Sequence, residues 1–110
     1  MRIIGGKYKS YIIPTSKKIK ARPTTDMAKE ALFNILENKI DFNQIYVLDL
    51  FCGTGNISYE FASRGVKEIT AVDHQINALQ FIQKQSFHWG MNINTKTVSY
   101  THLRAHETSN

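Results

Sequence analysis

The run from Tyr46 to Asp73 constrains this chain more than any other part of it. Tyr46-Val47-Leu48-Asp49-Leu50-Phe51 is a short apolar stretch of the kind that forms a buried parallel strand, and Cys52-Gly53-Thr54-Gly55-Asn56 follows at once, so a strand runs into a glycine turn. Helical spacing resumes at Ile57, Phe61 and Ala62 and ends at Arg64-Gly65, where glycine is a natural C-terminal cap. Glu68 to Asp73 reads as a second strand with a carboxylate at its C-terminal end. The unit is β-α-β. Gln75 to Phe87 continues as a helix with Ile76, Leu79, Ile82 and Phe87 apolar, closed by Gly90.

Each polar element of this unit has a physical reason to stand at a cofactor site. Glycines let the backbone turn sharply and approach a ligand, and the following helix aims its amide groups and positive dipole end at the bound molecule. Asp73, at the tip of the neighbouring strand, is placed to accept hydrogen bonds from the two ribose hydroxyls of an adenosine. Asp49 is less usual, because a carboxylate inside an apolar strand costs several kcal/mol to bury without a partner, and a cationic ligand would be one. Dinucleotide sites carry GxGxxG against a pyrophosphate. Here the third glycine position is Ser58, and Asp49 would repel a pyrophosphate. The arrangement suits S-adenosylmethionine, whose amino and sulfonium groups are positive.

Upstream, Arg22-Pro23-Thr24-Thr25-Asp26 sets a proline, hydroxyl caps and a carboxylate before Ala28, Ala31, Leu32, Ile35, Leu36 and Ile40, which repeat at helical spacing. The expected helix packs these residues on a sheet and turns Lys29, Glu30, Asn34 and Glu37 outward. Arg22, beside its N-terminus, is suited to holding an anion. Before it, Arg2–Ile4 and Lys7–Ile13 read as two short strands around Gly5-Gly6, a hairpin stopped by Pro14. Of the net charge of +5, placement matters more than size: seven cationic residues, Arg2, Lys7, Lys9, Lys17, Lys18, Lys20 and Arg22, precede the first acid, Asp26. With Tyr8 and Tyr11 among them, the arm combines phosphate neutralisation with stacking surfaces, as an RNA-facing element does. A solvated basic arm is the plainer alternative.

At 110 residues and 42% hydrophobic, the chain has the size of one small domain. Its apolar runs fall far short of the roughly 20 residues of a membrane helix, and Ile3-Ile4 is too short for a signal-peptide core. A cytoplasmic protein is expected. The single cysteine, Cys52, excludes an internal disulfide framework and any CxxC spacing. As a nucleophile it lacks a base nearby in sequence, so loop packing accounts for it better. Phe81, Phe87 and Trp89 read as core more readily than as a base-stacking stripe.

Met1-Arg2-Ile3-Ile4-Gly5-Gly6-Lys7-Tyr8, then Arg22-Pro23-Thr24-Thr25-Asp26 leading into Ala31-Leu32-Phe33-Asn34-Ile35-Leu36, then Val47-Leu48-Asp49-Leu50-Phe51 with Gly53-Thr54-Gly55, closely resemble the bacterial 16S ribosomal RNA guanine-N2 methyltransferases. The resemblance covers about residues 1–97, and its arginine-proline-threonine block is more specific than its cofactor loop. It implies an α/β, Rossmann-like class I methyltransferase fold with a small N-terminal β-hairpin. It further implies methyl transfer from S-adenosylmethionine to a guanine N2 amine, with 16S ribosomal RNA or the assembling small subunit as partner. No metal or membrane is involved, and the full-length protein is expected to be a monomer. On this reading Asp49, Phe51, Gly53, Thr54 and Gly55 line the cofactor, Asp73 holds its ribose, and Asn56 and His74 are adjacent candidates. Arg2, Lys7, Tyr8, Lys9 and Arg22 face RNA.

Such enzymes carry an Asn- or Asp-Pro-Pro-aromatic motif after the fourth strand. The two prolines here, Pro14 and Pro23, are not adjacent, so no catalytic residue is assigned. Without that motif nothing orients the weakly nucleophilic amine toward the sulfonium methyl. Residues 98–108 resemble one reading frame of a transposase adapter used in preparing sequencing libraries. The expected division is therefore a basic arm, 1–22, a methyltransferase portion, 23–97, and a non-native tail, 98–110. The sheet is expected to stop after about two and a half strands, leaving a marginally stable, inactive fragment with an open edge. His102 and His106 only imitate a metal pair, as two further ligands are lacking. Rival readings are an amino-methylating DNA methyltransferase and a non-catalytic nucleotide- or RNA-binding module.

Overall fold

A computed structural model describes residues 1–21 and 24–99. The segment after the glycine turn forms as its periodicity dictates. Strand β1 (Tyr46–Leu50) leads into helix α2 (Asn56–Ser63), strand β2 (Glu68–Asp73), helix α3 (Ile76–Trp89) and strand β3 (Ile93–Thr97), preceded by helix α1 (Asp26–Glu37) and a 3-10 turn at Phe42–Gln44. The strands make one parallel sheet in the order β1-β2-β3. Both connections between strands are helical, as parallel neighbours require.

The third strand is not a stub. All five of its residues pair with β2, from Ile93 opposite Ile69 to Thr97 opposite Asp73, and Val98 adds a hydrogen bond to the Asp73 carbonyl at 3.1 Å. Tyr100 to Asn110, with His102 and His106, lie outside the described residues.

β1 is parallel, as expected, but it is not buried. Tyr46, Leu48 and Leu50 are exposed, because β1 pairs on one side only and the apolar alternation of its outer face meets no partner among the described residues. The core lies on the opposite face of the sheet, where Ile69, Ala71, Leu79, Ile82 and Tyr59 pack with Ile3 and Ile13 of the N-terminal arm. Trp89 joins this cluster, edge-on to Tyr59 and Tyr11 with ring centroids 5.4 Å from each. Phe87, by contrast, is 88% exposed and Ile76 is also exposed, so neither belongs to the core expected for α3.

Helix α1 reverses the face assigned to it. Thr25 caps it, accepting from the Ala28 amide at 3.1 Å. Lys29 and Phe33 are its buried residues, whereas Ala28, Ala31, Leu32 and Ile35 point outward. An ion pair across to α2 draws Lys29 inward, and that overrides the apolar count. Helix α2 behaves alike. Its enclosed side is polar, with Asn56, Ser58, Glu60 and Ser63 buried beside Tyr59.

The expected N-terminal hairpin shrinks to a single antiparallel bridge, Arg2 to Ile12, extended by bonds from Ile3 N to Tyr11 O and from Ile13 N to Met1 O. Lys7 to Ser10 is turn, not strand. The Lys7 amide donates to the Ser63 carbonyl at 2.8 Å and the Tyr8 amide to Ser63 Oγ at 3.0 Å, so these groups serve α2 and are lost to a ladder. Gly6, at φ +83, makes the approach possible, since a Cβ there would stand 2.1 Å from the Ser63 carbonyl oxygen.

Candidate cofactor site

The C-terminal ends of β1 and β2 lie side by side, and the glycine turn crosses from one to the other. The Cys52 amide continues the ladder to the Val72 carbonyl at 3.0 Å. Three residues on, the Gly55 amide closes on the Cys52 carbonyl at 2.9 Å and starts α2. Gly53 and Gly55 take φ values of +53 and +87, which glycine adopts without strain. Phe51 also takes a left-handed conformation, φ +57, with its ring exposed. A bulky residue held there is strained, a feature that clusters at ligand sites.

Asp73 is 2% exposed and organises the turn. Its Oδ2 accepts from the Gly53 amide at 2.8 Å and its Oδ1 from the Gln75 amide at 2.9 Å. One carboxylate thus ties the glycine turn to the start of α3. His74 is half exposed, with Nδ1 3.3 Å from Asp73 Oδ1.

Asp49 has a protein partner that the sequence did not announce. Ser58 Oγ donates to its Oδ2 at 2.7 Å, so the residue standing at the third glycine position holds the strand carboxylate. Burial nevertheless pushes the Asp49 pKa above the usual carboxylate range, and the nearby Asp73 charge adds to the rise while Ser58 opposes it. The Cys52 thiol is pushed up to about 12, chiefly by burial and then by the two aspartates, which fits packing and not a reactive thiolate.

The far wall comes from the arm. Lys20 and Gln75 exchange two hydrogen bonds of 2.9 Å, from the Lys20 amide to Gln75 Oε1 and from Gln75 Nε2 to the Lys20 carbonyl. Ala21 then covers the turn, its methyl 2.7 Å from where a Gly53 Cβ would be. The cleft left between this strap, the glycine turn and the β2 tip has a volume of ≈ 280 Å³ and is lined by Asp49, Phe51, Thr54, Asp73 and His74 among others. Asn56 also borders it, but its polar atoms are engaged: Oδ1 accepts from Lys29 Nζ at 2.8 Å and Nδ2 donates to the Thr24 carbonyl at 2.9 Å. It secures the strap. All eight residues expected around the cofactor thus gather at one end of the sheet.

The residues expected to face RNA are less concentrated. Lys7 and Lys9 are exposed. Arg2 is exposed too, 3.9 Å from Asp26. Tyr8 is half-buried and meets Tyr11 edge-on at 5.2 Å. As Tyr11 in turn packs on Trp89, these rings are partly committed to holding the arm down. Arg22, with Pro23, lies outside the described residues.

What sequence reasoning missed is the fastening beneath the arm. Glu60 accepts from the Ile4 amide at 2.9 Å, the Gly5 amide at 3.0 Å and Arg64 Nε at 2.9 Å, and it pairs with Lys29 at 3.1 Å. One signal was available: Asn56, Glu60 and Ser63 recur at i, i+4 and i+7, a polar stripe on a helix otherwise read by its hydrophobes. Among the described residues no group of His, Cys, Asp or Glu is arranged to hold a metal ion, and no helix is long and apolar enough to cross a membrane.

The whole chain, residues 1–110, matches a family described as conserved hypothetical protein 95. It is 36% identical over 84 residues to the ribosomal RNA small subunit methyltransferase D of Buchnera aphidicola, a match that covers 76% of this chain and 42% of that protein. A Rickettsia prowazekii protein named uncharacterized methylase RP545 is 44% identical over 79 residues, covering 66% of this chain and 34% of its own length. The matches thus span less than half of either relative. Among solved structures, yhhF of Escherichia coli superposes with a TM-score of 0.79 at 27% identity, over 94% of this chain and 55% of that one.

Proposed function

This chain belongs to the conserved hypothetical protein 95 family, and from that premise we propose that it is the cofactor-binding part of an S-adenosylmethionine-dependent methyltransferase whose target is the N2 amine of a guanine in 16S ribosomal RNA. The observation that carries the cofactor is the pair of carboxylates on one small cleft. Asp49 bears a desolvated carboxylate held by the hydroxyl and backbone of Ser58 with no cation credited beside it, a state that a cationic ligand relieves. Asp73 accepts one backbone bond on each oxygen, and Oδ1 also lies 3.4 Å from Gln75 Nε2 and 3.3 Å from His74 Nδ1, so Oδ2 is the oxygen that keeps a lone pair for a hydroxyl donor.

The donor set fits the group. Asp49 would hold its positive end, the backbone of Gly53, Thr54 and Gly55 its body, and Asp73 its ribose, with Phe51 at the mouth and His74 beside the ribose. When bound, S-adenosylmethionine supplies a methyl group made electrophilic by the sulfonium. The work of this chain is to bind and orient that donor; the residues that would align the guanine amine are not among its own assigned positions. Relatives named ribosomal RNA small subunit methyltransferase D support an RNA substrate, and the exposed Lys7, Lys9 and Arg2 offer phosphate contacts.

The test has two arms. Equilibrium dialysis of tritiated S-adenosylmethionine against the chain should show binding that is weakened by Asp73→Ala and by Asp49→Asn. Incubation of the complete gene product with naked 16S ribosomal RNA, assembled small subunits and duplex DNA should label RNA, with N2-methylguanine on digestion. Label on DNA would move the target to the rival enzyme class, and cofactor binding without transfer would leave a binding module.

A further inference from the structure

No Asp or Glu occurs before Asp26, and none occurs between Asp73 and Glu107, so the arm and the whole of α3 are free of carboxylates. The fold lays these two stretches against each other. A groove of ≈ 680 Å³ runs between Pro14 and Phe81, Lys84, Phe87 and His88 of α3. A second, of ≈ 410 Å³, continues it along Lys18 and Ile19, and Phe81 and Lys84 line both. Together they form one trough with cations on its walls.

Phe87 stands in this trough 88% exposed, whereas the buried side of α3 is filled by Ala78, Leu79, Ile82 and Ser86. An apolar ring alone would suit a protein partner equally well. Charge decides between occupants: Lys18, Lys84 and His88 face no carboxylate from either bordering segment, so the fitting partner is anionic and offers flat apolar faces. Single-stranded nucleic acid combines both properties, whereas a duplex keeps its base faces stacked inside.

We propose that the trough between α3 and residues 14–19 is a contact surface for single-stranded RNA, in which a base stacks on Phe87 and the flanking phosphates meet Lys84 and Lys18. It rests on the ribosomal RNA reading above and adds to it a surface whose lining does not include Lys7 or Lys9.

Fluorescence anisotropy of a short fluorescein-labelled single-stranded RNA, titrated with the full chain, tests the surface. Phe87→Ala should weaken binding roughly tenfold, Phe87→Trp should restore it, and Lys84→Gln should lower the slope of log affinity against log salt by about one. Both positions are exposed, and unchanged far-ultraviolet circular dichroism would confirm intact folds. If Phe87→Ala binds like the parent while a Lys7→Gln/Lys9→Gln double variant is weakened, the trough is overturned and the RNA reading stands. Equal weakening of single-stranded and duplex RNA by Phe87→Ala would also overturn it. If the parent chain binds no RNA, both fall.

Discussion

The Lys29 ammonium lies 3.1 Å from the Glu60 carboxylate, and solvent reaches neither side chain. Lys29 also donates to the Arg2 carbonyl at 2.6 Å and to Asn56 Oδ1 at 2.8 Å, so its three protons are used. Burial lowers its pKa, and the attraction of Glu60 offsets that only in part. The net worth of such a pair is modest, but removing one partner is costly. Lys29→Met should destabilise the chain by about 3–5 kcal/mol, read as a lower urea midpoint. An unmoved midpoint would mean that Glu60 finds other compensation.

Gly6 and Gly65 share almost the same left-handed backbone, φ +83 and +84, but differ in surroundings. Beyond Gly65 nothing stands within 4 Å, whereas a Cβ on Gly6 would collide with the Ser63 backbone. Gly65→Ala should therefore cost only the conformational penalty, about 1–2 kcal/mol. Gly6→Ala should cost more and free the arm, which thermal melts of the two variants would compare directly. Equal melts would show that the arm adjusts without loss.

The raised pKa of Asp49 gives a pH signature whose sign follows from proton linkage. The folded chain keeps the proton where the unfolded chain has lost it, so stability falls as pH rises from the ordinary aspartate value through the raised one. Asp49→Asn should melt higher than the parent at neutral pH, with the gap closing at about pH 3, below the ordinary aspartate value. Binding of a cationic ligand should run the opposite way in the parent, weakening as pH falls through the Asp49 pKa, and should lose that dependence in the variant. A parent and variant with parallel stability profiles would contradict the assignment.

Gln75 binds the strap through both polar atoms of its side chain and the β2 tip through its amide. Gln75→Ala should speed hydrogen exchange at the Lys20 amide and lower stability by about 1 kcal/mol, the usual net worth of such bonds. Bound S-adenosylmethionine should also leave faster, since Ala21 would no longer be held over the glycine turn. Exchange at Lys20 equal to the parent's would show that the strap is held without Gln75.

The β-α-β unit was legible because its signals are local: glycines at Gly53, Gly55, Gly65 and Gly90 punctuate hydrophobic runs of distinct period, and β2 falls at Glu68–Asp73 as read. The same holds for the cleft, since the topology brings the ends of neighbouring parallel strands together. Faces were harder. Counting hydrophobes put Lys29 outside and Leu32 and Ile35 inside, because periodicity cannot see that a lysine will meet Glu60, 31 positions later. Ser58 was read as a missing glycine when its hydroxyl serves Asp49. Lys7 to Ser10 read as strand because propensity does not reveal that its amides go to Ser63. Each miss involves a polar group whose partner lies in another element.

The bond from the Ile4 amide to Glu60 spans 56 positions and that from the Tyr8 amide to Ser63 spans 55. During synthesis the Ile4 and Tyr8 amides therefore leave the ribosome before their partners exist, and they wait until α2 has emerged. A chain interrupted before Glu60 leaves these amides to water or to other chains, so the arm is the first part made but is fastened only once α2 follows it.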